Sequence, residues 1–269
     1  MPNSISPRVS VVTPCYNGDR HLWQAIESYL GQTLADLEVF VVDDASPQGD
    51  AAVADEYARA DPRIRVLRHP TNRGVSKAFN TGFEAAAGDY FTRLAQDELF
   101  APDAFAVMVA KLDGSPQGVG LVYFDMAMID EAGRVLCERH ACEAPARALL
   151  PANRLGNCVM WRRAVWETVG PFRKAFDYSE DYDFYLRVLS EFRIDKCCDA
   201  APFRFRWHAA QGSNRLARRQ DVTMCRAQLA YRWRQVLKNP LDLGAWKGCV
   251  GRVARLPWLR LRAVRTPRR

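Results

Sequence analysis

Two stretches near the start of the chain decide the fold: residues 9–18 read VSVVTPCYNG, and residues 38–46 read EVFVVDDAS. Each contains a run of mainly apolar and β-branched residues, which favours a buried strand, and each ends at turn-forming or acidic residues. Between them, residues 20–30 carry apolar side chains at helical spacing. A strand, a helix and a second strand in this order predict parallel strands joined by a crossover helix.

The same alternation continues along the chain. Residues 64–68 and 90–94 are predicted to be strands, and residues 51–60 and 76–87 are predicted to be helices. After residue 100, the predicted helices cover residues 102–112, 162–169 and 181–192, and the predicted strands cover residues 120–129, 156–161, 194–199 and 203–207. The fold class is therefore α/β, with a mixed, mainly parallel sheet flanked by helices.

Charge divides the chain into two parts. The net charge is +7, but residues 215–269 carry 15 Lys and Arg against 2 Asp and Glu. This part is therefore near +13, and residues 1–214 are near −6. We predict one α/β domain over residues 1–214 and a basic, helical C-terminal extension over residues 215–269.

The sequence also bears on location. No segment is long and apolar enough to span a bilayer, and residues 1–7 lack the apolar run of a signal peptide, so we expect a cytoplasmic protein. The extension mixes Arg with Trp and Leu, which suits a helix on an anionic membrane surface at the inner face of the cell membrane. The alternative is packing on the body or on a second subunit. Nucleic acid is not an expected partner, because no nucleic-acid-binding motif accompanies the charge.

Three aspartates, Asp43, Asp44 and Asp97, fall at or just beyond the ends of predicted strands. In open α/β sheets, ligands bind beyond the carboxyl ends of the strands. Carboxylates there can contact a nucleotide or a metal. The alternative for the Asp43-Asp44 pair is capping of the following helix, which Asp commonly does.

These residues occur in a combination that resembles a known family. Residues 9–18, the pair Asp43-Asp44 after its apolar run, and Asn72-Arg73-Gly74 are similar in order and spacing to the nucleotide-binding half of family 2 glycosyltransferases, which have the GT-A fold. The resemblance covers residues 9–213. It implies a nucleotide site formed by Pro14, Tyr16, Asp43, Asp44, Asn72, Arg73, Gly74 and Lys77. A solvated surface position is the alternative for Lys77.

The metal motif of this family is altered here. Its members have Asp-x-Asp after the fourth strand, whereas this sequence has Ala95 in place of the first acid and retains Asp97. The resemblance implies that Asp97 binds Mn²⁺ or Mg²⁺, cations that often take only one or two carboxylates. Glu98 is either a second contact or a strand-end cap. His208 is a second candidate ligand, with a packed or exposed histidine as the alternative.

A transferase also needs a base for the acceptor hydroxyl. Glu180 and Asp181 resemble the Glu-Asp motif that begins a helix in this family. The resemblance implies Asp181 as the base and Glu180 as a residue that orients the base or the acceptor. Both acids could instead complement the helix dipole. On the acceptor side, Asn157 is a candidate for sugar hydroxyls, and Trp161 is either a sugar platform or a core residue.

The resemblance implies a function for the whole domain. Residues 8–100 would bind the nucleotide and residues 101–214 the acceptor. We expect inverting transfer of a sugar from a nucleoside-diphosphate sugar, UDP by family habit, to a hydroxyl of a glycan or lipid-linked glycan. The alternative is a non-catalytic nucleotide-sugar-binding or membrane-associated scaffold protein with a degenerate metal motif. An oligomer is compatible with either function.

Overall fold

A seven-stranded sheet forms the centre of the structure, a computed structural model that describes residues 6–17, 19–47, 52–140, 149–198, 200–208, 217–241 and 247. Its strands are β1 (Val9–Cys15), β2 (Leu37–Asp43), β3 (Ile64–Arg68), β4 (Tyr90–Arg93), β6 (Val119–Tyr123), β9 (Val159–Arg162) and β10 (Arg193–Lys196). Their order is β10-β6-β9-β4-β1-β2-β3, and only the pairs that include β9 are antiparallel. The predicted mainly parallel sheet is confirmed.

A smaller sheet lies beside the first one. It contains β5 (Leu99–Phe100), β7 (Met126–Ile129), β8 (Val135–Arg139) and β11 (Phe203–Arg206), in the order β5-β11-β7-β8. Strands β7 and β8 form a hairpin whose turn contains Gly133 at a positive φ of 85°. The stretch predicted as one strand over residues 120–129 is therefore two strands, β6 and β7, that belong to different sheets.

Helices cover both faces of the large sheet. They are α1 (Asp19–Leu30), α2 (Ala52–Ala60), α3 (Val75–Ala85), α4 (Ala104–Asp113), α5 (Arg163–Val169), α6 (Glu180–Val188) and α7 (Ala217–Lys238), with a 3₁₀ turn at Lys174–Phe176. Helix α6 ends four residues before the end predicted for it. Within the described ranges, no helix is both long and apolar enough to cross a membrane.

The core consists of two layers, one on each face of the sheet. Alternate residues of β1 and β2 point to opposite layers, as the period of a strand requires: Val11 belongs to one and Val12 to the other. The first layer packs α1 and α4 on the sheet, and the second packs α3, α5 and α6. Because both faces are covered, β2 is buried along its whole length, which explains its continuous apolar run.

Helix α7 is the described part of the basic extension. It packs on α6 and on the 3₁₀ turn. Gln228 donates a hydrogen bond to the Tyr182 hydroxyl at 3.0 Å, and the hydroxyls of Ser179 and Thr223 lie 2.9 Å apart. This part of the extension is therefore helical and packs on the body, while residues 242–246 and 248–269 lie outside the described residues.

Candidate active site

The register of β1 and β2 brings two of the predicted segments to one edge of the sheet. Cys15 pairs with Asp43, so residues 16 and 17 and residues 44–46 follow neighbouring strands at their carboxyl ends. Pro14 is the second-last residue of β1 and is half-buried, and Tyr16, just after the strand, is exposed. The Tyr16 backbone N–H donates to Oε1 of Gln96, at 3.2 Å, which joins this edge to the loop after β4.

Asp43 and Asp44 are adjacent, but their carboxylates differ in their contacts. Asp44 is buried and accepts hydrogen bonds from the backbone N–H groups of Arg73 and Gly74, both at 2.8 Å. Nδ1 of His69 lies 2.6 Å from the same carboxylate. Asp43 accepts one bond, from the backbone of Ser46 at 2.9 Å. Asp44 therefore holds a loop, whereas Asp43, which is also buried, accepts fewer hydrogen bonds from the described residues.

The loop that Asp44 holds contains the predicted Asn72-Arg73-Gly74 segment. Gly74 has a φ of 91°, a backbone conformation that favours glycine, and α3 begins at the next residue. Asn72 and Arg73 are exposed, and Lys77 is half-buried in the first turn of α3. The structure thus collects these residues at a helix N-terminus, where backbone N–H groups favour anions.

The metal candidates Asp97 and His208 lie together. Nε2 of His208 is 2.9 Å from Oδ2 of Asp97, and both side chains are mostly buried. The buried guanidinium of Arg206 donates to the backbone carbonyl of Asp97 at 3.1 Å and to Oε1 of Gln24 at 2.7 Å. The ring of His21, in the first turn of α1, is 6.1 Å from that of His208. Burial, and then the charge of Arg206, lower the pKa of His21.

Glu98 makes the contacts expected of a strand-end cap. Its side chain is 1% exposed, accepting bonds from the backbone of Ala95 at 3.0 Å and from the amide of Asn157 at 2.7 Å. Burial, followed by the charge of Asp97, raises the pKa of Glu98 to about 8. The amide N–H of Asn157, predicted to contact sugar hydroxyls, is thus committed to Glu98.

Glu180 and Asp181 occupy the first turn of α6, as predicted. Glu180 is buried, with Oε1 3.1 Å from Nη2 of Arg93, and burial raises its pKa. Asp181 is half-buried, and its carboxylate accepts bonds from Nδ2 of Asn153 at 2.6 Å and from the backbone of Tyr182 at 2.7 Å. The two acids therefore have different environments, and Asp181 is the more accessible one.

Trp161 is a core residue, so the sugar-platform interpretation is wrong. It lies in β9 and is 0% exposed, with its ring centroid 5.2 Å from that of Phe83 and 5.1 Å from that of Phe184. A side chain enclosed in this way has no face free to stack on a sugar.

Two residues around the candidate base were missed by the sequence analysis, Arg93 and Asn153. Arg93 had a signal, because a charged residue at the end of a buried strand is unusual and needs a partner. Asn153 had no such signal in the sequence, because it lies 28 residues before Asp181, the residue that it contacts.

The fold and the strand-end carboxylates define an α/β protein of the GT-A type. The profile of Glycosyl transferase family 2 matches residues 10–161, more than half of the chain, and the chain belongs to this family. An uncharacterised protein of Sinorhizobium fredii is 33% identical over 210 residues, which are 77% of this chain and 23% of that protein. Chondroitin synthase of Escherichia coli is 28% identical over 196 residues, 71% of this chain and 28% of the synthase. The chain thus spans about a quarter of these relatives.

Solved structures share the fold. The structure of TarS 1–349 of Staphylococcus aureus in complex with UDP is similar, with a TM-score of 0.70 and 17% sequence identity. The match covers 92% of this chain and 71% of the TarS chain. The structure of the mannosyltransferase PcManGT of Pyrobaculum calidifontis in complex with GDP-Man and Mn²⁺ is also similar, with a TM-score of 0.62 and 19% sequence identity. The match covers 95% of this chain and 72% of the PcManGT chain. The predicted GT-A fold is confirmed.

Proposed function

We propose that this chain transfers a sugar from a UDP-sugar to a hydroxyl of a glycan or lipid-linked glycan, by a single displacement that inverts the anomeric carbon. The observation that carries the proposal is the contact between Glu180, beside the candidate base, and Arg93, on the strand that leads to Asp97. It supports the proposal, because it joins the helix of the proposed base to β4, a strand that pairs in parallel with β1. The family membership and the nucleotide-bound relatives TarS and PcManGT support a nucleotide-sugar donor.

The donor would bind at the carboxyl ends of β1 and β2. Asp43 has acceptor capacity for the N–H of a base, and the exposed ring of Tyr16 can cover a base or ribose. Arg73 and Lys77 would contact ribose or phosphate beside the N-terminus of α3. Asp44 would act indirectly, by holding the loop that carries Arg73.

A divalent cation fits the Asp97 and His208 pair. The carboxylate supplies a hard oxygen and the imidazole a nitrogen, 2.9 Å apart at a strand end. Among the residues that the structure describes, no three His, Cys, Asp or Glu side chains are grouped closely enough to hold a metal. Diphosphate oxygens and water would therefore complete the shell of Mn²⁺ or Mg²⁺. When bound, such an ion would neutralise charge on the departing diphosphate.

Asp181 would accept the acceptor proton. As the acceptor oxygen attacks the anomeric carbon, its proton passes to the Asp181 carboxylate, and the bond from that carbon to the phosphate oxygen breaks. The electron pair leaves with the nucleoside diphosphate from the opposite face. Asn153 and the backbone N–H of Tyr182 orient the carboxylate through the bonds described above.

The test is Asp181→Asn in an assay of nucleotide release from a panel of UDP- and GDP-sugars with Mn²⁺. We expect turnover to fall about 100-fold or more while donor affinity is unchanged, because the loss of a positioned base commonly costs that much. Glu191→Gln, which alters an exposed pair with Lys238, is the control and should keep full turnover. Unchanged turnover in Asp181→Asn would remove this residue from the role. Donor binding without release by the wild-type protein would favour the non-catalytic alternative.

We further propose that the extension contacts an anionic membrane surface, where a lipid-linked acceptor would reside. Trp233 and Leu237, one turn apart on α7, are 48% and 65% exposed, and the extension is strongly basic. The full chain should co-sediment with phosphatidylglycerol vesicles and not with phosphatidylcholine vesicles. Equal sedimentation with both would contradict an electrostatic contact.

A further inference from the structure

Arg93, the last residue of β4, is a buried cation to which the proposed reaction gives no role of its own. Its side chain is 5% exposed, and its guanidinium lies 4.2 Å from the ring centroid of Phe79 and 5.5 Å from that of Phe172. Nη2 donates to Oε1 of Glu180 at 3.1 Å. Nε and Nη1 are buried and have no hydrogen-bond partner among the described residues.

Acids from both halves of the site interact with this cation. Glu98, which follows Asp97 on the donor side, interacts with it electrostatically, as do Glu180 and Asp181 of the first turn of α6. Strand β4 leads directly to Asp97, whereas α6 carries the candidate base. Arg93 is thus the link between the strand of the proposed donor site and the helix of the proposed base.

In terms of the free energy of folding, this arrangement is an unfavourable way to fill a core position. Replacing a buried ion pair by apolar residues of similar volume is often neutral or stabilising, and buried N–H groups without partners are unfavourable. The guanidinium lies against the rings of Phe79 and Phe172, and methionine is a side chain that also makes favourable contacts with aromatic rings. Stability alone therefore does not explain Arg93.

We propose that Arg93 is a positioning residue: by holding Glu180, it fixes the first turn of α6, and so the carboxylate of Asp181, relative to the donor-binding end of β4. The proposal rests on the proposed function, because it requires that Asp181 is the base. It assigns the effect of Arg93 to catalysis through Glu180 and not to donor binding.

A double-mutant cycle tests this role. Arg93→Met, Glu180→Gln and the double variant are compared with the wild-type protein for kcat and KM of nucleotide release from the preferred UDP-sugar, and for Tm. Each single variant should lower kcat about 100-fold, the loss expected when a reacting group is misplaced by about 1 Å. The double variant should be no slower than Glu180→Gln, because Arg93 acts through Glu180. KM for the donor should stay within about threefold.

The Tm separates positioning from a merely structural role. Arg93→Met leaves the carboxylate of Glu180 buried without its cation, whereas the double variant leaves no charge of the pair buried, so the Tm of the double variant should exceed that of Arg93→Met although its kcat stays low. Arg163→Met is the control: the Arg163 guanidinium lies 5.5 Å from the ring centroid of Phe91, which is in β4, and donates to the backbone carbonyl of Gly88. It should keep the wild-type kcat.

Two results would overturn the proposal. One is an Arg93→Met protein with wild-type kcat, and the other is losses that multiply in the double variant. If Arg93→Met does not fold, Glu180→Gln and the double variant decide alone: equal kcat values support the role, and a further loss of about tenfold refutes it. A wild-type protein that releases no nucleotide from any donor contradicts the proposed function itself, before any variant is compared.

Discussion

Asp44→Asn should destabilise the folded protein, although the substitution keeps the size of the side chain. The Asp44 carboxylate accepts bonds from the backbone N–H groups of Arg73 and Gly74, both at 2.8 Å, and lies 2.6 Å from Nδ1 of His69. Asparagine retains one acceptor oxygen and replaces the other with an NH₂ group. At least one of these two part-buried backbone N–H groups must therefore lose its partner.

The magnitude follows from the number and kind of these bonds. A hydrogen bond to a charged group contributes about 1.5–3 kcal/mol, so we expect the free energy of unfolding to fall by about 2–3 kcal/mol. The loop that carries Arg73 should loosen as a result. Nucleotide affinity should then fall together with stability, and not independently of it.

Asp43→Asn is the matched control, because it changes the neighbouring residue in the same way. Asp43 accepts one backbone bond, from Ser46 at 2.9 Å, and its other oxygen is 3.9 Å from Nε of Arg68. Asparagine can keep the first bond, so we expect a loss of less than about 1 kcal/mol in stability. Urea unfolding gives the stabilities and titration calorimetry the affinity for UDP. Unfolding free energies that agree within about 0.5 kcal/mol would refute the division of roles between the two aspartates.

Two further predictions concern buried residues. Burial and the charge of Asp97 raise the pKa of Glu98 from 4.5 to about 8, so the folded state keeps a proton that the unfolded state releases. The free energy of unfolding should therefore fall as pH rises between these values. Glu98→Gln should reduce this dependence on pH, measured by urea unfolding at several pH values. An equal dependence in the wild-type protein and the variant would contradict the prediction. Trp161→Ala should lower the free energy of unfolding by about 3–5 kcal/mol. Trp161→Phe should leave the KM for the acceptor unchanged, and a raised KM would return Trp161 to the acceptor site.

Local sequence was sufficient where the chain repeats one simple pattern. Residues 9–18 and 38–46 each combine an apolar run with an abrupt polar end, so the strand and its carboxyl end could both be placed. Parallel pairing then puts those ends at one edge, and the register of Cys15 with Asp43 agrees. The position of the residues proposed to bind the nucleotide, at one edge of the sheet, was therefore predictable.

Prediction from local sequence patterns fails where a strand is buried on both faces. Residues 120–129 are apolar apart from Gly120 and Asp125, because β6 and β7 are both largely buried, and the stretch was therefore predicted as one strand. Asp125 lies between β6 and β7, where the chain passes from one sheet to the other. In β9, all four residues are buried, so alternation cannot show which side a given ring faces, and the position of Trp161 stayed open. The contact of Asn153 with Asp181 depends on tertiary packing alone.

The altered metal motif should make metal binding depend on the nucleotide. Ala95 supplies no carboxylate, and Glu98 is directed to Asn157 with a pKa raised to about 8, which leaves Asp97 as the acid of this segment for a cation. One carboxylate and one imidazole hold Mn²⁺ weakly, whereas a diphosphate adds charged oxygens. In calorimetric titrations, Mn²⁺ should bind measurably tighter with UDP present than without it, and His208→Ala should weaken binding in the presence of UDP. Equally tight binding without UDP would show that other ligands complete the site.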